Sequence, residues 1–180
     1  MVYATLNDDM IELLKNLKFS NLISYEGGKI HNTVYGNLRI NTDKYSVELS
    51  NIEKTMPFFD ITEDVACFEC KVSDPAIEFK PYCIEPFERF EIDAKINSIE
   101  IINDVIDVNN GEYEISFDRA IIFRTDKRDI MFSRDVWFSE VITISENDDY
   151  DAVYSIDEVA EVWSDEGDNK VNVIRTRKKL

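Results

Sequence analysis

Ile40-Asn41-Thr42-Asp43-Lys44-Tyr45-Ser46-Val47-Glu48-Leu49-Ser50 decides the fold class of this chain. Leu38 and Ile40 alternate with Arg39 and Asn41, and Tyr45, Val47 and Leu49 alternate with Ser46 and Glu48. A period of two sends successive side chains to opposite faces, so the segment reads as two strands joined by a turn at Asn41-Thr42-Asp43-Lys44. The same alternation recurs in Ala66, Phe68, Cys70 and Val72, and in Phe90, Ile92, Ala94 and Ile96 set against Glu91, Asp93 and Lys95. It returns in Tyr113, Ile115 and Phe117 after the turn Asn109-Asn110-Gly111. Further strands are expected over 120–124, 130–133 and 136–145. Pro75, Pro81 and Pro86 punctuate a stretch that cannot be a central strand.

One helix stands out near the start. Met10, Leu13, Leu14 and Leu17 fall at i, i+3, i+4 and i+7, on a single face. Asn7 is placed to cap it, and Asp8 and Asp9 suit the positive end of its dipole. Tyr25-Glu26-Gly27-Gly28 then breaks the pattern. The fold class that follows is α+β, predominantly antiparallel β, as a sandwich or partly closed barrel with an N-terminal helix. The length suits a single compact domain over 1–180, with two β-rich halves of about 1–85 and 86–180 as a further possibility.

The halves are suggested by a faint repeat. Phe123-Arg124-Thr125-Asp126-Lys127-Arg128-Asp129-Ile130-Met131-Phe132-Ser133 resembles the opening segment: strand, Thr-Asp-Lys turn, strand, closing Ser. Duplication and the generic chemistry of hairpin turns both account for it. Residues 155–177 are ambiguous. Ser155-Ile156-Asp157-Glu158 fits a capping box, with Ile156, Val159, Ala160 and Trp163 on one helical face. The β-branched run over 171–176 and the turn-like Asp165-Glu166-Gly167-Asp168-Asn169 favour a terminal hairpin, which is the preferred reading.

Charge is the strongest functional signal. The formal net charge is -17 over 180 residues. Between Asp135 and Asn169 lie twelve acidic side chains and no Lys or Arg, whereas Lys170 to Leu180 holds five basic residues and no acid. Such an imbalance disfavours free nucleic acid and membrane surfaces as partners and favours basic proteins. Trp137, Phe138, Tyr150, Tyr154 and Trp163 interleave with the acids, as interface anchors do. The expected partner-binding residues are Glu146, Asp148, Asp149, Asp151, Tyr154, Asp157, Glu158 and Trp163. The basic residues Arg119, Arg124, Lys127, Arg128 and Arg134, with the tail from Arg175 to Lys179, are read as neutralising the acidic face within the molecule. The alternative for the tail is contact with nucleic acid held by a partner.

Signals for chemistry are weak. Cys67-Phe68-Glu69-Cys70 is a C-x-x-C pair, with Cys83 and His31 as further conceivable zinc ligands. On a strand, a separation of three sends the two sulfurs to opposite faces, and buried structural thiols are the preferred reading. His31, the single histidine, lacks a nucleophile-elbow partner and is read as decorating an early strand. Asp107-Val108-Asn109-Asn110-Gly111 departs from a calcium loop in its glycine position and reads as a solvated turn. No phosphate-cradling glycine motif occurs. No catalytic residue, metal or cofactor is therefore assigned.

The three cysteines and the absence of a basic, apolar leader favour a reducing cytoplasm, that of a bacterium or a phage-infected host cell. The leading expectation is an acidic, non-enzymatic inhibitor of a basic nucleic-acid-handling protein, acting by nucleic-acid mimicry. In size and charge alone the chain is similar to phage and mobile-element counter-defence proteins of the anti-CRISPR and antirestriction kinds. The alternatives are an immunity protein or antitoxin neutralising a toxin nuclease, a carboxylate-based enzyme, and a viral structural or assembly protein.

Overall fold

A computed structural model describes residues 1–82, 87–164 and 169–180. The elements, in chain order, are β1 (Val2–Ala4), α1 (Asp8–Lys15), β2 (Asn21–Ile30), β3 (Thr33–Thr42), β4 (Ser46–Phe58) and β5 (Ile61–Ser73). They continue with β6 (Phe87–Val108), β7 (Tyr113–Thr125), β8 (Ile130–Ser133), β9 (Val141–Glu146), α2 (Tyr150–Val153), α3 (Ile156–Ser164) and β10 (Val171–Lys179). All strands join one sheet, antiparallel throughout except for the pairing of β1 with β7. The ladder β7-β8-β9-β3-β2-β6 returns to β7. The sheet is thus partly ringed; β1, β4 and β10 branch from the ring, β5 adds to β4, and the whole is not a barrel.

The alternating residues behave as their period requires. Leu38, Ile40, Val47 and Leu49 turn inward to the main core with Phe68, Ile96, Phe123 and Phe132. The apolar face of α1 closes onto the same core through Leu14 and Leu17, and Asn7 Oδ1 caps its start by accepting from Met10 N at 2.9 Å. A second core lies against α3: Ile106, Val108, Ile115 and Phe117 meet Val159, Trp137 and Trp163. The C-x-x-C pair divides between these cores, Cys70 entering the first and Cys67 the second. Burial pushes both thiols up, that of Cys70 to about 12. Alkylation of the native protein followed by peptide mapping is expected to leave Cys67 and Cys70 unmodified until denaturant is added; rapid labelling of either in the native state would contradict this placement.

The two Thr-Asp-Lys turns share more than a strand-turn-strand pattern. Thr42 Oγ1 accepts from Lys44 N and Tyr45 N, each at 3.2 Å, and donates to Tyr45 O at 2.7 Å. Thr125 Oγ1 does the same with Lys127 N, Arg128 N and Arg128 O. Asp43 Oδ1 accepts from Asn21 N at 2.9 Å, and Asp126 Oδ1 accepts from Lys95 N at 2.8 Å. Asn21 and Lys95 are themselves antiparallel partners, so the turns stand symmetrically about the β2–β6 ladder. The aspartate anchor onto another strand is something that hairpin chemistry alone does not require.

Several expectations need correction. Residues 155–177 are not a hairpin: α3 forms first, and β10 then pairs along β6 rather than back on its own neighbour. The capping box outweighs the valines because Val159 gains a buried place against the second core, which a free-standing strand would not offer. The strand expected over 136–145 starts only at Val141; Val136 to Glu140 is irregular and turns Trp137 toward α3. His31 lies in the turn between β2 and β3, not on a strand, with a left-handed φ of 56°. The segment from Tyr25 to Gly28 is inside β2. Gly27 is suited to this place because a Cβ there would stand 3.2 Å from that of Leu38. Cys83, Pro86 and most of the turn expected over 165–169 lie outside the described residues.

Candidate binding cleft beside the last helix

The acidic block does not form one continuous face. Asp149 and Asp151 cap and open α2, and there they meet β10. Arg175 Nη1 donates to Asp151 Oδ1 at 2.9 Å; Arg177 Nη2 donates to Asp149 Oδ1 at 2.8 Å and to Asp151 Oδ2 at 2.6 Å. The bond from Arg175 holds the Asp151 carboxyl below the usual range, with Arg177 adding to it against a smaller burial effect. Glu146 pairs with Arg128 at 2.9 Å. The basic C-terminal segment is thus an ordered strand whose arginines neutralise part of the acidic block.

Beneath these pairs lies a buried polar layer. Asp104 on β6 is fully buried and accepts two bonds from Arg175, at 2.7 and 2.8 Å. Arg119 on β7 stands 3.6 Å from the same carboxylate. Its Nε donates to Tyr150 Oη at 2.8 Å, and its Nη1 to the carbonyl of Asp135. The Arg175 guanidinium also lies over the Tyr150 ring, 4.6 Å from its centroid. Burial alone would lower its proton affinity, but the bonds to Asp104 and Asp151 outweigh that and raise it. Burial pushes the Tyr150 hydroxyl up to about 12, so it remains neutral at physiological pH.

Above that layer, α3 and the irregular segment from Asp135 to Phe138 enclose a cleft of about 60 Å³. Val136, Trp137, Tyr154, Val159, Val162 and Trp163 supply its apolar walls, with Arg119 at its floor and Asp135 and Glu158 at its rim. Trp137 and Trp163 rings are 4.3 Å apart, and Phe138 meets Trp137 edge-on at 5.3 Å. A shallower groove of about 530 Å³ continues from the cleft along Val153, Tyr154, Glu161 and Val162. Val162 is 62% exposed and Phe138 59%, so apolar carbon beside the cleft is open to solvent.

The helix that forms one wall is fixed by its first turn. Glu158 N donates to Ser155 Oγ at 3.1 Å, while Glu158 Oε2 accepts from Ser155 N and Oγ, each at 2.9 Å. The bond from the Ser155 backbone, then that from its hydroxyl, holds the Glu158 carboxyl below its ordinary value. Ser155→Ala is expected to cost about 1 kcal/mol in urea unfolding, because two bonds of the cap are lost together. A cost indistinguishable from zero would mean that tertiary packing alone sets the start of α3.

Of the residues expected to bind a partner, Tyr154, Glu158 and Trp163 come together at the cleft. Asp157 is exposed on the first turn of α3, and Asp148 is exposed before α2. Glu146, Asp149 and Asp151 face arginines of this same chain. Val136, Val162 and Arg119 were missed as site residues: an exposed valine on a helix and a buried arginine on a strand carry no mark in sequence. The carboxylates at the cleft are exposed, and the cleft is far below the several hundred Å³ of ordinary small-molecule sites. No helix among the described residues is long and apolar enough to cross a membrane. No protein-family model matches this chain, and no curated protein or solved structure resembles it at a significant level.

Proposed function

We propose that this protein is an acidic, non-enzymatic inhibitor that occupies a basic surface of a nucleic-acid-handling protein in the cytoplasm of a bacterial or phage-infected cell. The observation that carries the reading is the juxtaposition at α3. Exposed Asp135, Glu158 and Glu161 border an apolar cleft in a chain of net charge -17, and Arg119 is the one basic residue lining it among the described residues. Apolar anchors ringed by charge of one sign suit a partner of the opposite sign, with charge speeding encounter and the anchors slowing release.

The free acidic surface is narrower than the acidic block. Asp149, Asp151 and Glu146 already have cationic partners, so among the described residues of the block the exposed Asp135, Asp148, Asp157, Glu158 and Glu161 are left to stand in for phosphates. Mimicry would therefore be centred on α3 and not on the loop before α2.

The test is capture from the native host with the full-length chain, comparing wild type with a variant carrying Asp157→Lys and Glu161→Lys. The expected result is a basic nucleic-acid-handling protein enriched by wild type, released by salt, and lost with the variant. Enrichment of only neutral or acidic proteins, or of the same set by both, would overturn the reading. The partner's own activity separates the kinds of inhibitor: a toxin nuclease identifies an immunity protein, a defence effector a counter-defence protein.

A further inference from the structure

We infer that the cleft and groove beside α3 bind a linear basic segment of the partner, with one aliphatic side chain lodged between Trp137 and Val162 and Lys or Arg residues on either side of it. This rests on the reading of the protein as a binder of basic partners and specifies what the partner presents.

Size selects the central residue. The cleft of about 60 Å³ takes one aliphatic side chain and excludes an indole or a cofactor. Its walls offer the carbon of Val136, Val159 and Val162 and of the Trp137 and Trp163 indoles, which pack on each other 4.3 Å apart, while the charged side chains lie at its floor and exposed rim. An aliphatic side chain matches this apolar carbon, whereas a polar one seated against the valines would give up water for carbon.

Charge selects the flanks. Cleft and groove share Asp135, Tyr154, Glu158 and Val162, so they form a continuous depression. Its border adds Glu161, and all three carboxylates are exposed. Arg119 at the floor does not oppose a cationic ligand in full, because Asp104 stands 3.6 Å from it and its Nε and Nη1 are turned to Tyr150 and Asp135. An acidic or phosphate-bearing ligand would meet three carboxylates before reaching that guanidinium. The shallow groove suits an extended chain laid along α3, with alternate side chains reaching the carboxylates.

The molecule carries its own reporter, since its two tryptophans both line the cleft. The probe is the capped peptide Lys-Arg-Leu-Lys-Arg titrated into the full chain while tryptophan emission is followed. The expected result is a saturable emission change, weakened about tenfold or more when the peptide's Leu is replaced by Ser, and by a similar factor in Glu161→Lys. Val162→Lys, an exposed helix position that leaves both cores intact, is expected to abolish the change while circular dichroism stays that of wild type. No emission change at millimolar peptide, or equal binding of the Leu and Ser peptides, would overturn the inference. If the peptide fails while host capture still depends on Asp157 and Glu161, the segment is refuted and the broader reading stands. If the peptide binds but no basic partner is captured, the broader reading falls instead.

Discussion

Asp104→Ala is expected to destabilise the protein by about 3–5 kcal/mol, a large share of the stability of an ordinary domain. Asp104 is wholly buried between two guanidinium groups, 2.7 and 2.8 Å from Arg175 and 3.6 Å from Arg119. Both cations are themselves nearly inaccessible to water, so removing the carboxylate takes the anion from beside Arg119 and leaves Arg175 with Asp151 alone, and neither can be rehydrated in place. The layer also holds β10 against β6, and with it the arginines that meet Asp149 and Asp151. Urea unfolding of Asp104→Ala against wild type measures the loss. A companion variant with Asp104→Leu and Arg175→Met together should be less destabilised than Asp104→Ala, since one of the two buried cations leaves along with the carboxylate. A loss below about 1 kcal/mol for the single variant would mean that water reaches this layer.

Arg134→Met is expected to cost a similar amount, about 3–5 kcal/mol, for a different reason. Arg134, just after β8, is completely buried, yet among the described residues no carboxylate forms an ion pair with it. Its Nε donates to Asp118 O at 2.5 Å and its Nη2 to Ala4 O at 2.7 Å; Nη1 reaches Ala66 O and, at 3.4 Å, Asn51 Oδ1. One side chain therefore ties together β1, β4, β5 and β7. The guanidinium lies over the Phe117 ring, 3.8 Å from its centroid. Burial pushes its proton affinity down to about 9, which still leaves it charged at neutral pH. Methionine fills the space but removes the donors that reach three buried carbonyls. Lysine restores the charge but not the planar fork, so Arg134→Lys should recover only part of the loss. Equal stability of the lysine variant and wild type would show that charge, rather than the fork, matters here.

These two residues illustrate why the sequence was legible in some places and silent in others. Strands such as Ile40 to Ser50 and Phe90 to Ile96 were readable because burial on one face imposes a period of two over a few neighbours. The capping of α1 by Asn7 is likewise local. The Thr-Asp-Lys turns were visible as a pattern, though their shared anchor to Asn21 and Lys95 depends on strand pairing across the fold. Asp104 and Arg175 are 71 residues apart, and nothing in either neighbourhood marks them as partners. Arg134 has the same side chain as the exposed Arg89, and only tertiary burial separates the two.

The candidate site shows the same division. Tyr154, Glu158 and Trp163 were legible because an amphipathic pattern beside acids is a local signal. Val162 was not, because its role depends on the irregular stretch that brings Trp137 across to α3. The preference for a hairpin over 155–177 came from β-branched content, which packing against the second core overrides. A run of acids in sequence also does not reveal which of them will face arginines. Asp149 and Asp151 are met by Arg177 from 28 and 26 residues away, leaving the charge on α3 as the part open to a partner.

Steering of a basic partner by the exposed carboxylates on α3 is read from the association rate of the captured partner across a range of salt. For wild type the rate should fall steeply as ionic strength rises, because attraction between exposed charges is screened beyond roughly 8 Å at physiological salt. For the variant carrying Asp157→Lys and Glu161→Lys it should start lower and change less, with the fold retained by circular dichroism despite the small cost of a cation at the start of α3. An association rate that is flat in salt, or identical for the two proteins, would contradict the account.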